Sequence, residues 1–338
     1  MKALKITLVG IAGLLALFVG VGQLLPETAH VERSVSIHAP ACNVYALVNG
    51  YQQFNRWSPW APRDGSARTT LTPGPATGTG AKVTWTSENP QVGSGSQEIT
   101  ASAPCERVEH AIVYAGQARG VGTFRVTPAG EDVTLTWSFD TDLGGDLVGR
   151  YFGLRMDGML GPDFEASLTT LKKLAEDAPY VDISALTAVR VTLEPTPLAY
   201  VTTSCPHPQV GKALGTAYAQ IQAYLTGQGI RPTGPPLAIY TGATDSTYTI
   251  DAGVRIVPGP LSPAPDPVVR MGATPSGPML RATHRGSYTR LGETHDRVAA
   301  YMAIHGLKSR GNEWEEFVGD PATTPEAQLL TYVYYPIE

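Results

Sequence analysis

The sequence predicts an α+β protein of two soluble domains behind an N-terminal transmembrane helix. Three observations lead there. An uncharged apolar run opens the chain. A series of short strands with Gly/Pro/Asn turns then ends in one long amphipathic helix. Beyond that helix, a segment repeats itself once at an offset of about 77 residues.

With 338 residues the chain is long enough for two ordinary cores. Its 36 glycines and 28 prolines favour turns and short strands over long helices. A formal net charge of -5, with no Lys/Arg cluster, excludes nucleic acid as a partner, because neutralising phosphates needs a basic patch.

The run from Ile6 to Leu25 carries no charge, and roughly twenty such residues suffice to cross a ~30 Å hydrocarbon core as a helix. Lys2 and Lys5 precede it, whereas Glu27, His30 and Glu32 follow without a positive excess. The positive-inside rule then puts the N-terminus in the cytoplasm and everything after Pro26 outside, in a periplasmic or extracellular space. A cleaved signal peptide is the alternative. Against it, the run exceeds a typical signal core, and Gln23-Leu-Leu-Pro-Glu-Thr-Ala offers no small-x-small cleavage site. Residues 1–27 are therefore expected to be a retained single-pass anchor. Of the three cysteines, Cys42 and Cys105 share the first domain and can pair in an oxidising compartment, but buried, unpaired thiols are the favoured expectation.

The first domain is expected over 28–176. His30–His38 reads as a strand and Ala41–Asn49 as a short helix. Strands follow near 68–72, 81–87, 94–102, 106–114, 120–127 and 132–140. In the last, Val133, Leu135, Trp137 and Phe139 alternate with Thr134, Thr136 and Ser138. Leu160, Phe164, Leu168, Leu171 and Leu174 then form a helical stripe. Trp57, Trp60, Trp85 and Trp137 are candidate cavity-wall aromatics, with core packing the favoured role for each. Glu98 and His110 lie on strands, where each could face the cavity, with a solvated strand face the favoured expectation. No nucleophile–base pair or carboxylate dyad stands out, so no catalytic residue is assigned here.

Val31-Glu-Arg-Ser-Val-Ser-Ile-His-Ala-Pro, Val44-Tyr-Ala-Leu-Val, Phe54-Asn-Arg-Trp-Ser-Pro-Trp and the closing Gly158-Met-Leu-Gly-Pro-Asp-Phe-Glu resemble the START-like superfamily (SRPBCC, polyketide cyclase/dehydrase type). The resemblance implies a helix-grip fold, an antiparallel sheet gripping its long C-terminal helix around a cavity for an apolar or aromatic ligand.

A linker is expected over 177–187, where the stripe stops and Pro179 intervenes. The second domain, 188–338, holds the repeat. Leu214-Gly215 matches Leu291-Gly292, Ala223-Tyr224-Leu225 matches Ala300-Tyr301-Met302, and Leu237–Tyr240 aligns with Trp314–Phe317. Each half reads as strand, strand, helix, strand, with the Pro-rich stretch after Val257 as a stiff connector. Two such halves predict one pseudo-symmetric domain with a cleft at its axis.

Leu280-Arg-Ala-Thr-His-Arg-Gly-Ser-Tyr, Ala303-Ile-His-Gly-Leu, Trp314-Glu-Glu-Phe-Val-Gly-Asp-Pro and Leu330-Thr-Tyr-Val-Tyr-Tyr-Pro-Ile resemble the GyrI-like family, which is also the effector-binding domain of some bacterial transcription activators. The DNA-binding segment of those activators has no counterpart here. In the family, the glutamate of a Glu-x-[Tyr/Phe] motif lies in the ligand pocket, and Glu315 matches it.

Strand alternation puts Glu315 and Phe317 on one face, and the repeat gives Ala238 and Tyr240 as their counterparts. A carboxylate among aromatics is costly without a partner, and is what a cationic or polarised ligand needs. The expected ligand-binding residues are Glu315, Phe317, Tyr240, Tyr288 and Trp314. The favoured function is capture of lipophilic, aromatic or cationic small molecules by an exported, membrane-anchored protein. The alternative is a hydrolase of reactive or strained rings, with Glu315 as general base and Tyr288 as hydrogen-bond donor. His284, His295 and His305 lack metal-site spacing, so neither metal nor cofactor is expected. The sequence names no protein partner.

Overall fold

A computed structural model of the chain describes residues 2–58, 68–89, 92–114, 118–257 and 268–338. It forms two compact units, Met1–Ser184 with Ala303–His305, and Ala185–Met302 with Gly306–Glu338.

The first unit opens with helix α1 (Lys2–Leu24), whose Thr7–Leu24 segment is long and apolar enough to cross a membrane. Strand β1 (Thr28–Ile37) leads into short helices α2 (Ala41–Val48) and α3 (Phe54–Trp57). Six strands follow: β2 (Arg68–Leu71), β3 (Lys82–Thr86), β4 (Gly95–Ala103), β5 (Arg107–Tyr114), β6 (Ala118–Ala129) and β7 (Asp132–Asp142). They build one antiparallel sheet in the order β1-β7-β6-β5-β4-β3-β2. The period-2 pattern sets the register: Val31 pairs with Phe139, Val35 with Leu135 and Ile37 with Val133, so apolar side chains share one face. Helix α4 (Leu147–Glu176) lies against it and buries Phe164, Leu168, Leu171 and Ala175.

Aromatic rings fill the space between sheet and helix. Trp137 stacks on Phe164 at 3.8 Å and on Phe124 at 4.9 Å, and Trp57 meets Phe124 and Trp137 edge-on. Trp57 and Trp137 are thus core residues, and half-buried Trp85 packs edge-on against Tyr114. Trp60 lies outside the described residues. The solvated face expected for His110 is corrected: it is buried against Phe124, over the bare backbone of Gly122, where a Cβ would fall 2.2 Å from the imidazole. Burial lowers the His110 pKa to about 4. Glu98 faces solvent beside Lys82 at 3.1 Å. The expectation of free thiols is corrected: Cys42 and Cys105 form a disulfide, and Cys205 alone is a free cysteine. Sequence spacing carries no sign of this pair, because the β4–β5 turn brings Cys105 back onto α2.

The second unit is an eight-stranded sheet flanked by two helices. Its elements are β8 (Thr187–Leu193), β9 (Pro197–Pro206), α5 (Val210–Gly227), β10 (Pro232–Ala243) and β11 (Thr247–Ile256), then β12 (Arg270–Ala273), β13 (Gly277–Arg285), α6 (Leu291–His305), β14 (Trp314–Phe317) and β15 (Leu330–Pro336). Each half therefore has a fourth strand, β11 or β15, beyond the three expected. The sheet order β12-β9-β11-β10-β14-β15-β13-β8 shows a further departure. The first strand of each half pairs with the second strand of the other, β8 with β13 and β12 with β9, so the halves interlock. Leu214, Ala217, Ile221 and Leu225 seat α5, and Leu291, Val298 and Met302 seat α6, on one face of the sheet. The connector after Val257 falls mostly on 258–267, outside the described residues.

Candidate functional site

The two halves meet at β10 and β14. Ala238 pairs directly with Glu315, and these are the two residues that the offset of 77 makes equivalent. The pseudo-twofold axis therefore passes between them, and Glu315 sits on it. Alternation along β14 points Glu315 and Phe317 to the helix-bearing face and Trp314 and Glu316 to the other.

Glu315 is only 3% exposed, and both of its oxygens are engaged. Oε2 accepts from the Tyr240 hydroxyl at 2.9 Å, and Oε1 accepts from Nε2 of His295 at 2.8 Å. Nδ1 of His295 and the Tyr335 hydroxyl are 2.6 Å apart, which extends the chain to four groups. With Nε2 donating to the carboxylate, a neutral imidazole accepts from Tyr335. Burial, reinforced by the Glu315 charge, holds the Tyr218 and Tyr240 phenols well above their ordinary pKa. Tyr335 is raised by burial and by Glu313 and Glu315. Three phenols thus stay protonated around one carboxylate.

Glu316, one residue on, has the opposite fate. It pairs with Arg255 and accepts from Tyr334 at 3.0 Å on the other face. The partners of Glu315 among the described residues are a phenol and an imidazole, neither a fixed cation.

On the same face, reaching Tyr218 and Phe317, lies a cavity of about 600 Å³. Tyr218, Tyr288 and Phe317 supply its rings, Leu214, Pro235 and Pro236 add apolar wall, and Asp320 is a charged lining residue. Tyr288 meets Phe317 edge-on at 5.4 Å and donates its hydroxyl to the Gly319 carbonyl at 2.9 Å. The structure brings Glu315, Tyr240 and Phe317 together on one face, with Tyr288 beside Phe317. Trp314 is not brought to them: it stacks on Tyr334 at 3.9 Å on the opposite face, beneath Arg255. Glu315 itself is not among the residues that line the cavity.

Sequence reasoning missed His295 and Tyr218. The offset of 77 makes them equivalent, one on each helix, so the repeat carried the signal. Among the described residues no group of three or more His, Cys, Asp or Glu is gathered as metal ligands.

A helix-flanked cleft with an apolar cavity beside a buried carboxylate defines a small-ligand-binding module. Residues 28–176 match the family of polyketide cyclase / dehydrase and lipid transport proteins, and residues 190–338 match the GyrI-like small molecule binding domain. The chain carries these two domains in the order its sequence motifs imply. No curated protein matches it. Similar solved structures include an EcmrR–DNA complex (10% identity, TM-score 0.42, covering 58% of this chain and 72% of that one). Another is the EcmrR C-terminal domain (11%, 0.39, 46% and 98%). A third is a hydrolase from Listeria innocua (15%, 0.35, 45% and 92%).

Proposed function

We propose that this protein is membrane-anchored and exported, and that its GyrI-like domain captures lipophilic, aromatic or cationic small molecules. The observation that carries the reading is the buried Glu315 carboxylate beside the cavity lined by Tyr218, Tyr288 and Phe317. Aromatic faces attract a cation, and a desolvated carboxylate completes its neutralisation. Calorimetric titration with tetraphenylphosphonium and with neutral triphenylphosphine oxide tests it. Preference for the cation supports the reading, and equal affinities refute the counter-ion role.

Export is supported by the Cys42–Cys105 disulfide, since such bonds persist in oxidising compartments, and by the apolar α1. Carbonate washing followed by N-terminal sequencing tests the anchor, and a soluble product beginning after Pro26 refutes it. One observation favours the hydrolase alternative: the chain from Glu315 through His295, whose side chain is 25% exposed, gives a proton a route outward. Turnover of an aryl epoxide, abolished in Glu315→Gln, would select that reading.

A further inference from the structure

The first half of α4 presents an apolar face that none of the described residues of its own unit covers. Arg150 is its one buried residue before Gly161. Val148, Phe152 and Met159 are 68%, 52% and 52% exposed, and their i, i+4, i+11 spacing puts them on one side of the helix. Arg155 falls on the same line, and it too is exposed.

This face adjoins the end of α1. The buried Arg150 guanidinium donates to the Gly144 carbonyl at 2.6 Å, to the Gln23 and Leu25 carbonyls at 3.3 Å each, and to Glu27 Oε1 at 2.7 Å. It thereby caps the C-terminus of α1. Tyr151 stacks on Phe18 at 4.5 Å and donates to its carbonyl at 2.7 Å. Gly22 permits the approach, since a Cβ there would lie 3.1 Å from the Tyr151 ring and 3.3 Å from Leu147.

From this junction we propose that Val148, Phe152, Arg155 and Met159 lie in the outer interface of the bilayer that α1 crosses, docking the polyketide-cyclase-type domain on a lipid surface. The proposal rests on the reading of α1 as a span. Phe18 stands six residues before the end of α1, about 9 Å along its axis at 1.5 Å per residue. Amphipathic helices bury their apolar face to a similar depth, roughly 5–10 Å into the headgroup–acyl boundary. Phe152 suits that boundary, and Arg155 beside it suits a lipid phosphate. A bilayer is preferred over a second copy of the chain because the face continues the exposed apolar surface of α1 itself, including Leu14, Leu17 and Val21.

The test uses the full chain in phosphatidylcholine proteoliposomes, with and without lipids brominated high on their acyl chains. Phe152→Trp reports the proposed face, Leu15→Trp the span, and Thr169→Trp the solvent-facing second half of α4. Melting in detergent checks that each variant folds, and Met159→Trp replaces a Phe152→Trp that does not. The added emission of Phe152→Trp and Leu15→Trp should fall roughly twofold in brominated bilayers, with Thr169→Trp unchanged. Quenching of Leu15→Trp alone would overturn the docking and leave the span standing. Quenching of neither would refute the span itself. A Phe152→Trp shielded from both brominated lipid and aqueous iodide would assign the face to a second copy, and also overturn the proposal.

Discussion

Replacing Glu315 by glutamine separates its electrostatic role from its structural one. Two hydrogen bonds hold the carboxylate, from Tyr240 at 2.9 Å and His295 at 2.8 Å. Glutamine keeps both: its carbonyl accepts from Tyr240, and its amide donates to Nε2 once the imidazole changes tautomer and donates from Nδ1 to Tyr335. What is lost is charge assistance, about 1 kcal/mol per bond, and relief from confining a charge offsets it. Stability of Glu315→Gln should therefore stay within about 1 kcal/mol of wild type. Glu315→Ala instead strands a half-buried phenol and a half-buried imidazole N–H, at about 1–3 kcal/mol each. For a domain of this size that corresponds to a melting temperature lower by roughly 4–20 °C. Binding responds differently. Glu315→Gln should weaken tetraphenylphosphonium by about 1–2 kcal/mol, or roughly 5–30-fold, and leave triphenylphosphine oxide unchanged. Differential scanning calorimetry and titration calorimetry read both effects. Cation affinity retained in Glu315→Gln, alongside a melting point that collapses, would make Glu315 a structural residue and move the ligand elsewhere.

In the first unit, His110 is neutral in the fold with a pKa near 4, below its ordinary value of 6.5, so the unfolded chain binds the extra proton. Its stabilising contribution is complete above pH 6.5 and is lost as pH falls from there toward 4. Urea melts of His110→Gln should lack much of a pH dependence worth about 3 kcal/mol across that window. Trp137→Ala removes a ring held between Phe164 and Phe124 and should destabilise by about 3–5 kcal/mol, visible as a lower urea midpoint. The Cys42–Cys105 bond spans 63 residues, and loop-closure entropy gives it about 4 kcal/mol. Dithiothreitol should therefore lower the melting temperature of the first unit, and the double Cys→Ser variant should be insensitive to it.

The first domain was legible because its strands are half-buried. Where Val133–Phe139 alternates with threonine and serine, only one register buries every apolar group, and the structure adopts it. Disulfide formation was not legible, since it depends on where a turn 63 residues away returns. In the second domain the repeat revealed the axis but hid two strands. Thr247–Ile256 does alternate, with Tyr248, Ile250, Ala252, Val254 and Ile256 on one side, yet it lies beyond the matched stretch. The exchange of β8 and β12 between halves leaves no local trace, because a strand's pattern records which face is buried and not which neighbour it has. Glu315 was readable as a misfit against Ala238. Its partner His295 is marked by the repeat only as the counterpart of Tyr218, and the pairing itself, which joins α6 to the sheet centre, leaves no pattern in the sequence. Trp314 was placed with the site by proximity in sequence, and alternation sends it to the other face.

A residue on a pseudo-twofold axis cannot be duplicated along with the fold around it. Ala238 and Glu315 are direct cross-strand partners, so a second glutamate at 238 would bring two carboxylates to within about 5 Å between Cβ atoms and force one to take up a proton. The doubled architecture thus supplies two helices, two outer strands and two faces of the cleft, but only one place for an ionised acid. The repeat partners on the helices have diverged likewise: Tyr218 lines the cavity, whereas His295 holds Glu315, so the two halves present unlike chemistry about one axis.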